Sequence, residues 1–193
     1  PRSTVGTVTE INDFLRLLYA RASRAYSPVT GEEMVHYTDE QIAGLIMTGF
    51  TGRKIALMAP IVKGRKGHYR ELFESLAKKG YIYARIDGEI REISAGMRLD
   101  RYKIHTIDLV VDRLVVGEEA RDRVMTSLKE SVRQGKGTMA VYDYGTEQQR
   151  FYSRHLMCPS TGIAFEDPAP HTFSFNSPQG ACPHCNGLGE EAV

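Results

Sequence analysis

Cys182-Pro183-His184-Cys185, followed by Asn186 and Gly187, is where residue type and spacing most directly point to chemistry. A two-residue gap lets both sulfurs converge on one ion, and a following glycine permits the tight turn. Zinc takes four such ligands, thiolate or imidazole, commonly from two Cys-x-x-Cys hairpins. The matching hairpin should read C-P-x-C-G. Upstream stands Cys158-Pro159-Ser160-Thr161-Gly162, with the same turn residues but a threonine hydroxyl in place of the second sulfur. Ser27-Pro28-Val29-Thr30-Gly31 repeats the x-P-x-T-G frame without any cysteine. The chain thus carries one full knuckle, one half knuckle and one emptied knuckle. Two expectations follow. Either Cys158, Cys182 and Cys185 hold zinc, completed by His171, His155 or water, or hydrogen bonds and packing hold the loop instead. His184, between the two sulfurs, points away from any shared metal.

The second group with chemical potential is cationic. Net charge is only +1, yet from Arg53 to Arg133 eighteen Lys and Arg face twelve Asp and Glu, a surplus of +6, flanked by segments of −2 and −3. Such a basic middle suits an acidic protein surface or nucleic acid, or forms a solvated mixed face. The candidates are Lys63, Arg65, Lys66, Arg70, Arg85 and Arg113. Arginine makes bidentate contacts to carboxylates, which favours an acidic protein partner; the alternative is direct phosphate contact with DNA, which salt would weaken steeply. Arg85 and Arg113 each have an acid close by, Asp87 and Asp112, so each is either a fork toward a partner or half of a local ion pair. No Walker A loop, G-x-x-x-x-G-K-[ST], occurs, nor does an LSGGQ signature. No Ser-His-Asp or paired-carboxylate arrangement stands out, so no catalytic residue is assigned.

These residues need elements to position them. Composition is that of a globular chain, with 41% hydrophobic and 25% charged residues among 193. No apolar run reaches the roughly 20 residues of a membrane span. Neither a signal peptide nor an initiating methionine is present, which points to a processed chain or a fragment. Three cysteines do not make a disulfide framework, so a cytoplasmic location is expected. Thr7 with Glu10 reads as a capping box opening a helix through Ile11, Phe14, Leu15 and Leu18; Thr38 with Gln41 reads as a second. Lys54–Val62 reads as a buried strand, KGRKG as a basic turn, and Tyr69, Leu72, Phe73 and Leu76 as one helical face ending at Gly80. Two β-rich stretches, a helix ending before Gly135, and a closing hairpin follow. The order β-α-β-β-α-β-β predicts an α+β domain over 50–153, a mixed sheet with two packed helices. An N-terminal helical segment, 1–49, and a loop-rich, zinc-knuckle-like module, 154–193, flank it. Phe173 and Phe175 alternate as in a half-buried strand.

FSFNSPQGACPHCNGLG near the end and PRSTVGTVTEINDFLRLLYAR at the start resemble the UvrA family, the damage-sensing ATPases of bacterial nucleotide excision repair. Between them, APIVKGRKGHYRELFESLAKKGYIYARIDGEI and HTIDLVVDRLVV resemble the insert by which that family binds UvrB. The resemblance covers essentially the whole chain. It implies that 1–49 comes from the signature region of the first ATP-binding cassette, that 50–153 docks UvrB, and that 154–193 is a zinc module leading back into the cassette. It places Cys158, Thr161, Cys182 and Cys185 on the module's four ligand positions, with Thr161 departing from cysteine, and Ser27 and Thr30 where many relatives carry ligands. ATP binding, UvrA homodimerisation and DNA binding are implied for the longer protein. C-x-x-C-x-G-x-G also matches the repeat of DnaJ-type chaperones, but those carry four repeats and the domain before it here is unlike theirs.

Overall fold

The structure, a computed structural model, describes residues 5–165 and 167–185. The chain divides into two units. The larger, Ser27–Phe165, is built on a six-stranded sheet; the smaller combines the segments before and after it.

In the larger unit, helix α3 (Asp39–Gly49) begins at Thr38. Its hydroxyl accepts the Gln41 N–H while the Gln41 side chain accepts the Thr38 N–H, the reciprocal capping box that the spacing predicts. Strand β1 (Lys54–Lys66) is followed by α4 (Arg70–Lys78), β2 (Tyr83–Ile86), β3 (Glu89–Glu92) and β4 (Ile104–Val115). A 3-10 turn then leads into α5 (Arg121–Gln134), β5 (Thr138–Asp143) and β6 (Gln148–Ser153), and a short pair, β7 (Leu156–Met157) with β8 (Ala164–Phe165), closes the unit. The sheet order is β3-β2-β4-β1-β5-β6, and every ladder is antiparallel, so the α+β class stands with an antiparallel sheet in place of the mixed one expected.

β1 runs four residues past Val62, so Lys63, Arg65 and Lys66 lie on a strand and not on the expected turn. Irregularities in the β1–β4 register between Pro60 and Val62, and between Val62 and Arg65, absorb the residues that would otherwise break it. Pro60 lacks an N–H, but β1 pairs with β5 only from Ile55 to Met58, so beyond that point one side of the strand is free to carry it.

Helices α3, α4 and α5 all pack on one face of the sheet. α5 buries Val124, Leu128 and Val132, at four-residue spacing, against Ile55, Leu57, Met139 and Val141, with Ile42 and Ile46 of α3 completing this core. α4 seats Phe73 and Leu76 against Val62, Ile86, Ile107 and Leu109. Full burial of such side chains contributes about 1.5–3 kcal/mol each.

In the smaller unit, Thr7 does not cap a long helix. It lies inside the short α1 (Val5–Val8), and the chain breaks at Glu10 (φ 60°) before α2 (Ile11–Ala22). The alternation of Phe173 and Phe175 also departs from expectation: a 3-10 turn, Pro170–Phe173, ends at the first of them, 173–175 is not a strand, and the Phe173 ring meets Tyr19 at 5.8 Å. Proline fixes φ near the helical value and cannot donate to a ladder, so it starts a turn more readily than a strand. Among the described residues no helix is long and apolar enough to cross a membrane.

Candidate functional site

With the helices on one face, strand alternation sends a second set of residues to the other. Ala56 and Met58 of β1, Val110 of β4 and Ala140 of β5 make its floor, with Tyr83, Ile90, Tyr142, Tyr144 and Phe151 packed around them. Small side chains in the central strands leave room for long cations to lie across the sheet. The Arg113 guanidinium stacks over the Tyr83 ring at 3.8 Å, and that of Arg85 over Tyr142 at 4.9 Å. Lys63 sits 5.3 Å from the Phe151 ring centre and Lys54 5.2 Å from that of Tyr144. Cation–π pairs of this kind contribute about 0.5–2 kcal/mol, more as water is excluded. They also pre-order side chains that would otherwise lose rotamer entropy on meeting a partner.

A buried acid anchors the array. Asp108 is 2% exposed. It lies 3.7 Å from Arg85 and accepts the Gln149 amide at 3.0 Å, while Arg85 donates to Gln149 Oε1 at 2.6 Å. Burial pushes the Asp108 carboxyl above its ordinary value, against the pull of Gln149, Arg85 and Lys63. Lys63 is an exposed residue, but its ammonium is held against Phe151 and donates to the Gly162 carbonyl at 2.6 Å. That desolvation moves its pKa below the usual lysine value, opposed by Asp108.

Of the six predicted cations, Lys63, Arg85 and Arg113 share this face. Arg65 and Lys66 project from the bulged end of β1, where their carbonyls receive the Tyr69 hydroxyl, and Arg70 pairs with Glu74 at 2.8 Å on α4. The neighbouring acids have other partners. Asp87, in the turn between β2 and β3, holds His105 at 2.7 Å, and Asp112 takes Arg123 at 2.7 Å and Ser127 at 2.7 Å on the helical face. Arg85 therefore engages Asp108, and Arg113 engages an aromatic ring. Sequence reasoning missed Asp108, Gln149 and the tyrosines. The alternation of Tyr83 with Arg85 signals a shared face; the cross-strand partners follow only from the register.

The two proline turns lie together in this unit. Ser27–Gly31 and Cys158–Gly162 each close with an N–H to C=O bond of 2.9 Å from the glycine to the first residue. Each has its glycine left-handed, at φ 72° and 68°. The Ser27 hydroxyl accepts the Val29 and Thr30 amides at 3.3 Å, as a knuckle sulfur would. Cys158 is buried, with its Sγ 3.4 Å from Thr30 Oγ1, 3.4 Å from Ser160 Oγ and 3.3 Å from Glu32 Oε2. Cys182 and Cys185 belong to the smaller unit, exposed and half-buried respectively.

An antiparallel sheet with helices on one face and ordered cations on the other defines an α+β domain that presents a sheet surface. A family model described as the UvrA interaction domain matches residues 38–145, from the α3 cap to two residues past β5. The chain is 46% identical over 195 residues to UvrABC system protein A of Methanothermobacter thermautotrophicus, covering 99% of this chain and 20% of that protein. Its counterparts from Thermus thermophilus and Bacillus subtilis are each 44% identical, over 98% of this chain and 20% of theirs. The chain belongs to the UvrA family and spans about a fifth of the length of these relatives.

Proposed function

We propose that this chain is the module by which a UvrA-type DNA repair protein recruits UvrB, and that the cation–aromatic face of the sheet is the docking surface. The observation that carries this is the row of Arg113, Arg85 and Lys63, each held by an aromatic ring on the face opposite the helices. Arginines ordered in this way meet a carboxylate-bearing protein surface at reduced entropic cost. Direct DNA binding by the same face is the second reading. It is weakened by Arg85, which lies flat and already serves Gln149 and Asp108, and by the buried acid at the centre of the array. ATP turnover, self-association, DNA engagement and a cytoplasmic location are proposed for the longer protein alone.

Arg113 offers the most direct test, because it is exposed and its removal leaves the sheet floor intact. In calorimetric titration with UvrB, Arg113→Ala should weaken binding at least tenfold, about 1.4 kcal/mol, while the melting temperature falls only by the roughly 2–4 °C per kcal/mol that loss of the stack on Tyr83 produces. Arg113→Lys should recover only part of the loss, since ammonium lacks the planar fork. Unchanged affinity in both variants would remove this face from the interface. Binding to duplex DNA that collapses between low and moderate salt, with none to UvrB, would favour the second reading.

A further inference from the structure

The Cys158 turn occupies a position where zinc is expected, and its surroundings do not suit zinc. Four residues stand at knuckle positions in the two facing turns: Ser27, Thr30, Cys158 and Thr161. They supply one sulfur and three hydroxyls, and a neutral hydroxyl is a poor ligand for an ion that favours thiolate, imidazole and carboxylate. Adding the Glu32 carboxylate gives two useful donors, where a structural site needs four.

The polarity of the cluster is also reversed. Ligands around a metal aim lone pairs inward at a positive centre. Here the shared centre is an acceptor, the carboxylate of an exposed side chain set beside the buried Cys158. Glu32 Oε2 takes the Thr30 hydroxyl at 3.3 Å, the Cys158 thiol at 3.3 Å and the Ser160 hydroxyl. Around this centre the knuckle frames persist, with both closing hydrogen bonds and both left-handed glycines. At Gly162 a Cβ would stand 2.9 Å from the Phe151 ring, so the turn is fixed against the sheet by close approach as well as by φ.

We infer that Ser27–Glu32 and Cys158–Gly162 form a metal-free knuckle, in which the Glu32 carboxylate gathers the protons of Thr30, Cys158 and Ser160 and takes the structural place of an ion. Cys158 is then not a zinc ligand, and any zinc on this chain is held without it.

Elemental analysis of the purified chain and of Cys158→Ser tests this directly. Both should contain the same amount of zinc per chain, whatever Cys182 and Cys185 contribute; loss of bound zinc on removing this sulfur would overturn the proposal. A second measurement does not depend on that variant folding. In a Cys182→Ser/Cys185→Ser chain, added cobalt(II) should give no visible absorption of the tetrahedral thiolate type, and chelator should leave the melting temperature unmoved. Introducing Ser27→Cys, Thr30→Cys and Thr161→Cys into that chain should create the absorption, one cobalt per chain. Cobalt or zinc bound stoichiometrically before those three substitutions, or none after them, would each refute the metal-free knuckle.

Discussion

At His105 two acceptors converge on one buried ring. Nδ1 lies 2.7 Å from Asp87 Oδ2 and Nε2 lies 2.8 Å from the Asp100 carbonyl, so both nitrogens are placed to donate and the imidazolium satisfies both contacts. The Asp87 hydrogen bond accordingly raises the His105 pKa, against the cost of burial. Burial would raise Asp87, but its bonds from His105 and Thr106 outweigh that and lower it. The two shifts fix opposite limits. The histidine's contribution is complete below its unfolded pKa of about 6.5 and is lost as pH rises through the higher folded value. That of the aspartate is complete above about 3.9 and is lost as pH falls through its depressed folded value. Asp87→Asn should therefore destabilise the chain by about 1–2 kcal/mol near pH 6, the low end because Asp87 is 43% exposed. The penalty should shrink toward pH 9. Denaturant melts at the two pH values check this, and a penalty equal at both would show that the ring does not change charge between them.

At the scale of elements, local signals are dependable when the partner is three or four residues away. The Thr38 box is such a signal, and it orients α3 so that Ile42 and Ile46, both fully buried, enter the core with α5. Thr38→Ala should cost about 1 kcal/mol, a fall in melting temperature of roughly 2–4 °C for a chain of this size. A cost below half that amount would mean that packing alone sets where the helix starts. The same four-residue pattern at Thr7 and Glu10 misleads, because the chain turns left-handed at Glu10 and starts a new helix there. KGRKG misleads for a different reason. Glycines spaced around cations read as a turn, but pairing with β4 resumes at Arg65↔His105 and Lys66↔Ile104 and carries the strand past a left-handed Gly64, and that pairing is invisible within the segment itself. The candidate face divides along the same line. Its cations stand out by charge and its tyrosines by alternation, while the Asp108–Arg85–Gln149 link joins three strands distant in sequence. Glu32 was equally hidden: beside Glu33 after a turn it looks like solvated surface, and only the facing Cys158 turn gives it a role.

For the molecule as a whole, everything the partner-binding proposal requires lies within Ser27–Phe165: the complete sheet, the three helices that cover one face, the cations on the other, and the paired proline turns that tie the start of the unit to its end. That unit also has its own cores, each closed by residues from within it. The smaller unit differs. In α2 the side chains of Ile11, Phe14, Leu15, Leu17, Leu18 and Tyr19 are each at least 45% exposed, a run of apolar surface that promotes association when left open to water. A chain cut to residues 27–165 should consequently fold by itself, unfold in one cooperative step in urea, and sediment as a monomer at concentrations where the 193-residue chain self-associates. Its affinity for UvrB should match that of the full chain within about twofold, well inside the tenfold per 1.4 kcal/mol that losing one anchoring contact would produce. Sedimentation and calorimetry on the two chains separate the outcomes. A well-folded 27–165 that has lost UvrB would place essential contacts before Ser27 or after Phe165 and remove the sheet face as a sufficient docking site. An unfolded one would show that the cores of the larger unit need support from the flanking segments.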